Sequence, residues 1–217
     1  MFDSPLLTVT LIALLLLLCW YLVGMQYNIR RARRALKWLE QGLPVIGEQA
    51  ALNWSGASQA QIHIAKAKDP FRSADILIQL QPREIPLWWL WQPRAPTHDL
   101  LIVRAQLRAA PDFDLVSHSP RVRADEQLKR HGMGQWSAVQ GGLANAMHAD
   151  IRGNISPYAV NRLIVQTTLE GMTLLRLMAH RSAPNLEVHY LLPKLEQVSP
   201  QRLFTILHQL GQEILQM

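Results

Sequence analysis

The chain begins with a stretch that neither alternates nor carries charge: Leu6 to Gly24 reads LLTVTLIALLLLLCWYLVG. An α-helix rises about 1.5 Å per residue, so roughly 20 apolar residues cover a hydrocarbon core about 30 Å thick, and the pattern predicts a transmembrane helix over residues 5–24. Pro5 suits the first helical position, where its missing N–H costs nothing. Trp20 and Tyr21 lie near the far end, where amphipathic rings favour the headgroup level. No basic residue precedes the run, and no small residues close it or precede Cys19, so an uncleaved anchor is expected rather than a secretory or lipoprotein signal.

From residue 25 to 42 the pattern changes to helical amphipathicity. Arg30, Arg33, Arg34 and Lys37 fall on one side of the wheel, while Ile29, Ala32, Leu36 and Leu39 fall on the other. Gly42 and Pro44 predict where this helix stops. Two uses of it are expected: continuing the membrane helix with its apolar side packed on a folded domain, or lying in the interface with Trp38 as an anchor.

Beyond Gly42 the apolar positions take the period of strands. Ala50–Trp54, Gln61–Lys66, Ala74–Leu80 and Leu100–Leu107 are the first group, with a turn at Ser55, Gly56 and Ser58. Arg162–Thr168, Met172–Ala179 and Leu186–Leu192 are expected to form a second, antiparallel group; β-branched Ile164 and Val165, the threonines and Gly171 favour strands there over one long helix from Tyr158 to His180. Between the groups, residues 109–157 are polar and glycine-punctuated, with a short helix at Asp125–Arg130 and a strand pair at Trp136–Gln140 and Leu143–His148 as the candidate elements. The segments Asp99–Leu107 and Asn161–Leu169 share Leu-Ile-Val at matching positions, a hint of duplication. The last segment is a helix, with Ser199 as cap, Pro200 at its first position and an apolar stripe of Leu203, Phe204, Ile206, Leu207, Leu210, Ile214 and Leu215. Gln201, Arg202, Gln209, Gln212 and Glu213 fall away from that stripe. The expected fold class is therefore α+β: a single transmembrane helix continuing into a basic amphipathic helix, then a mainly antiparallel sheet covered by a C-terminal helix.

Charge changes the picture in one respect. The formal net charge is +6, yet residues 25–41 hold five basic residues against one acid, and residues 42–217 are nearly balanced, with 17 basic against 14 acidic. The concentration of Arg30, Arg31, Arg33, Arg34 and Lys37 beside the apolar run, with no Lys or Arg before it, predicts an outside N-terminus (residues 1–4) and a cytoplasmic domain over 43–217. Such a cluster suits anionic headgroups, at about 1 kcal/mol per residue, better than a nucleic-acid footprint, so nucleic acid is disfavoured as a partner.

Candidate chemistry is sparse. Ile85 to Trp91 reads IPLWWLW between Arg83 and Arg94, and Trp88, Trp89 and Trp91 suit a membrane surface or a protein partner. Eight histidines are scattered, without a zinc-protease pair, a nucleophile elbow or a phosphate loop. Asp112, Asp114 and His118 form the densest local acid–base group, which a solvated turn also explains. The HGMG at His131–Gly134 is too short for a phosphate loop, and no residue is assigned to catalysis, a cofactor or a metal.

These readings lead to the expectation of a non-enzymatic, single-pass protein of a bacterial-type inner membrane, acting as a scaffold, assembly factor or accessory subunit, with a membrane protein or a second copy as partner. A membrane-proximal lipid or small-molecule sensor is the second expectation. An enzyme using His118, His131 or His148 with Asp112, Asp114 or Asp150 is the third. The contact residues expected on the first reading are Trp20, Tyr21, Arg30, Arg31, Arg33, Arg34, Lys37, Trp38, Trp88, Trp89 and Trp91.

Overall fold

A helix of 36 residues, α1 (Pro5–Glu40), joins two segments with different sequence patterns without a break. In the computed structural model, which describes residues 5–85, 98–121 and 136–217, it is the one helix long and apolar enough to cross a membrane. Gly42 ends it where the sequence places the stop: its backbone lies against the Phe204 ring, and a Cβ there would collide with that ring. A 3-10 turn, Leu43–Val45, then leads into the sheet.

Among the described residues, nine strands form one antiparallel sheet: β1 (Gly47–Ser55), β2 (Gln59–Ala67), β3 (Phe71–Gln79), β4 (Leu100–Leu107), β5 (Phe113–His118), β6 (Ser137–Ala138), β7 (His148–Gly153), β8 (Leu174–Ala179) and β9 (Leu186–Leu191). Their spatial order is β1-β2-β3-β4-β9-β8-β5-β7-β6, so the hairpin β8–β9 is inserted between β4 and β5. Gly56, at a φ of 71°, makes the β1–β2 turn that its sequence position suggested.

Alternation decides the two faces. Ala60, Ile62 and Ile64 of β2, Ala74, Ile76 and Ile78 of β3, Leu101, Val103 and Ala105 of β4, and Val188 and Tyr190 of β9 are all buried in one core. Three helices supply its other half: Ala32, Ala35, Leu36 and Leu39 of α1, Val160, Leu163 and Ile164 of α2 (Pro157–Thr167), and Leu203, Phe204, Leu207 and Leu210 of α3 (Pro200–Gln216). The opposite face carries the polar partners of these positions, among them His63, Asp75, Arg104 and Glu187, which lie side by side in register.

The second half of the chain departs from its sequence reading at three places. Arg162–Thr168 is not a strand: it belongs to α2, whose N-cap Ser156 accepts a hydrogen bond from the Ala159 N–H with Pro157 at the next position. The long helix from Tyr158 to His180 is excluded too, because the chain turns through Gly171, at a φ of 82°, before β8. The resemblance between Asp99–Leu107 and Asn161–Leu169 is therefore not a repeat, since one forms strand and the other mostly helix. The strand pair expected at Trp136–Gln140 and Leu143–His148 is not formed: Leu143–Met147 holds a 3-10 turn, and β6 pairs instead with β7, which starts at His148. Glu213 lies inside the α3 interface rather than outside it, buried and ion-paired to Arg162 of α2 at 2.5 Å. The helix expected at Asp125–Arg130 lies outside the described residues.

Candidate functional site

The two halves of α1 meet different surroundings. Every residue from Pro5 to Val23 is exposed, including Leu6, Leu16 and Val23, while Asn28, Ala32, Ala35, Leu36, Trp38 and Leu39 are buried. Buried positions at 28, 32, 35 and 39 recur at the spacing of one helical face, so the stripe is a core stripe. Trp38 faces inward, 7% exposed, and its indole N–H donates to the Val198 carbonyl at 2.8 Å. It is engaged in the protein's own core.

Between these halves, a polar network fastens the end of β3 to the helix. Gly24 brings the backbone close: a Cβ there would lie 2.5 Å from the Arg83 carbonyl oxygen. That carbonyl accepts the Trp20 indole N–H at 3.1 Å. The fully buried Asn28 amide donates to the Gln81 carbonyl and to a Glu84 carboxylate oxygen, both at 2.8 Å, and accepts from Arg83 at 3.1 Å. Ser58, in the β1–β2 turn, donates to the other oxygen of Glu84 at 2.8 Å.

Asp99, just before β4, closes the network. Arg83 donates to both of its oxygens, at 3.0 and 3.1 Å, the Gln81 N–H donates at 2.9 Å, and Arg31 of α1 approaches to 2.6 Å. Burial pushes the Asp99 pKa up, but the Arg83 and Gln81 hydrogen bonds and the charges of Arg83 and Arg31 outweigh it, holding the carboxyl below the usual range. Arg83 also sits over the Tyr27 ring, 5.3 Å from its centroid. A buried asparagine whose amide groups are bonded on both sides rigidifies a junction, because each partner left unmade would cost about 1–3 kcal/mol.

Of the residues expected from sequence, the structure brings Trp20 and Arg31 into this junction. Tyr21, Arg30, Arg33, Arg34 and Lys37 are exposed on α1. Trp88, Trp89 and Trp91 lie outside the described residues, as does His131. Asn28, Gln81, Arg83, Glu84 and Asp99 were not anticipated. One signal was legible: Asn28 stands four residues before Ala32 on the buried stripe, where a polar residue needs internal partners.

The acid–base candidates separate. Asp112 is exposed, whereas Asp114 is buried and accepts from Arg152 Nε and Nη2 at 3.0 and 2.8 Å and from the Arg181 N–H at 3.0 Å. Burial raises the Asp114 pKa, yet these bonds and the charges of Arg152 and His180 overcome it and hold the group ionised below its usual range. His118 and His148 face each other across β5 and β7, with ring centroids 5.6 Å apart, and Asp150 stands two residues from His148 on the same face. Among the described residues, no three His, Cys, Asp or Glu side chains gather where they could hold a metal. No protein-family model matches the chain, and no curated protein is significantly similar to it.

Proposed function

We propose that the chain is a single-pass protein of a bacterial-type inner membrane, with its N-terminus outside and its α+β domain in the cytoplasm. The observation that carries this reading is α1 itself, one helix whose apolar half touches almost nothing of the domain and whose other half completes the core. An apolar surface of this length exposed to water would be a severe aggregation liability; in lipid it is matched to its solvent. The exposed Arg30, Arg33, Arg34 and Lys37, directly after the apolar run, support the cytoplasmic side for the domain.

The role we propose is that of a non-enzymatic scaffold, assembly factor or accessory subunit of a membrane complex. The junction of Asn28, Arg83, Glu84 and Asp99 supports it, because a domain fastened to its anchor without a linker is held in one orientation to neighbours in the same bilayer. Such pre-orientation lowers the entropic cost of docking. Mild-detergent purification of the full chain at native expression, with mass spectrometry of what accompanies it, tests the role. A reproducible membrane-protein partner, lost when the junction is loosened by Asn28→Ala, is expected; a clean monomer would contradict it.

A further inference from the structure

The face of the sheet turned away from the main core carries two neighbouring rows of side chains with opposite electrostatic design. In the first, His63, Asp75, Arg104 and Glu187 lie in register across β2, β3, β4 and β9, and acids and bases alternate. Each is paired: His63 Nδ1 is 2.8 Å from Asp75, and Arg104 meets Glu187 at 3.1 Å. The second row starts two residues further along β9 and runs the other way across the sheet, through His189, Arg176, His118 and His148 of β9, β8, β5 and β7. Every member of it is neutral or positive.

Arg176, at the centre of that row, makes no ion pair among the described residues, and its Nε is buried without a hydrogen-bond acceptor. An arginine is charged at any physiological pH, and leaving a buried donor unbonded costs free energy. His189 Nε2 is bonded to Glu187 at 2.5 Å, and its other ring nitrogen has no hydrogen bond among the described residues. Neighbouring strands are about 4.8 Å apart, so three adjacent positions of the row span about 10 Å, within joint reach of one tetrahedral anion.

We propose that Arg176, flanked by His118 and His189 with His148 at the end of the row, is a binding site for a phosphate group. The guanidinium supplies forked donors and the imidazoles supply single ones, the donor set that phosphate oxygens take. The group arrives either on a soluble phosphate or on a lipid headgroup.

The test uses the full chain in nanodiscs of neutral phosphatidylcholine, titrated with inorganic phosphate against chloride at constant ionic strength. Phosphate at about ten times its Kd is expected to raise Tm by about 3–5 °C. Arg176→Gln abolishes the rise, and Arg104→Gln, a change in the neighbouring row, leaves it. A second arm replaces the neutral lipid by phosphatidylglycerol without added phosphate. Stabilisation in that arm that depends on Arg176 identifies the headgroup as the source, and a response only in the first identifies the free anion. No Arg176-dependent stabilisation in either arm overturns the proposal.

Discussion

The two halves of α1 invert the usual relation between hydropathy and burial. Leu6 to Val23 is almost wholly apolar and entirely exposed, whereas the stretch from Asn28 to Leu39, which holds five basic residues, is built into the core. What separates them is pattern. A helix apolar on every side has no polar face to turn to water and is suited to a solvent that is apolar all round; a helix with one apolar stripe is suited to a protein core on one side and water on the other. The polar residues confirm the division, since Asn28 is buried with all its partners made, while Arg30, Arg33, Arg34 and Lys37 point away.

The largest effect expected from this contrast is on folding itself. A chain that begins at Leu43 lacks Leu36, Trp38 and Leu39, whose burial stabilises by about 1.5–3 kcal/mol each, a sum comparable with the whole stability of an ordinary domain at about 5–15 kcal/mol. It is expected to give no cooperative unfolding transition, and a chain beginning at Met25 to keep one, as followed by circular dichroism. Matched leucine truncations sharpen the point. Leu39→Ala is expected to cost about 2–5 kcal/mol in denaturant unfolding, and Leu16→Ala less than about 0.5 kcal/mol of domain stability. Equal costs at the two positions would erase the distinction between the halves.

Smaller effects come from the polar contacts. Asn28→Leu leaves Glu84, the Gln81 carbonyl and Arg83 short of partners and is expected to cost about 1–3 kcal/mol. On the sheet face away from the main core, burial raises the Glu187 pKa, but hydrogen bonds from His189 and Arg104 and their charges win, bringing it from 4.5 to about 2. A carboxyl depressed in the folded state contributes stability that is present above its unfolded pKa and lost as pH falls through its folded one. Thermal stability is thus expected to decline between about pH 4.5 and pH 2. Glu187→Gln should flatten that decline, and an unchanged pH profile in the variant would contradict the assignment.

Much of this was legible in the sequence where alternation was clean. β4 falls on the residues expected of it, β1 and β2 extend their expected cores by a few residues, β3 starts three residues earlier and ends one residue sooner than expected, and α3 begins at its Ser199-Pro200 signal. The same signal, Ser156-Pro157, stands before α2, and the β-branched Ile164 and Val165 obscured it. Leu-Ile-Val is strand in β4 and helix in α2, so local propensity was overruled by the cap and by packing on α3. The junction was less legible because its partners, Asn28, Ser58, Gln81 to Glu84 and Asp99, are far apart along the chain. Their spacing carries no local period, and only the end of β3 and the start of β4 bring them together. The His–Arg row was hidden for the same reason, as it exists only in the register of four strands.

The measurement closest to the central claim is a label-accessibility scan along α1 of the full chain in bilayers, using single cysteines introduced one at a time after Cys19→Ser. Lipid access is expected at every position from 6 to 19, then a helical rhythm from 28 to 39. In that rhythm positions 32, 35 and 39 are shielded from both lipid and water, and 30, 33, 34 and 37 are open to water. Water access throughout 6–19, or uniform access from 28 to 39, would contradict a single helix that is anchor at one end and core at the other.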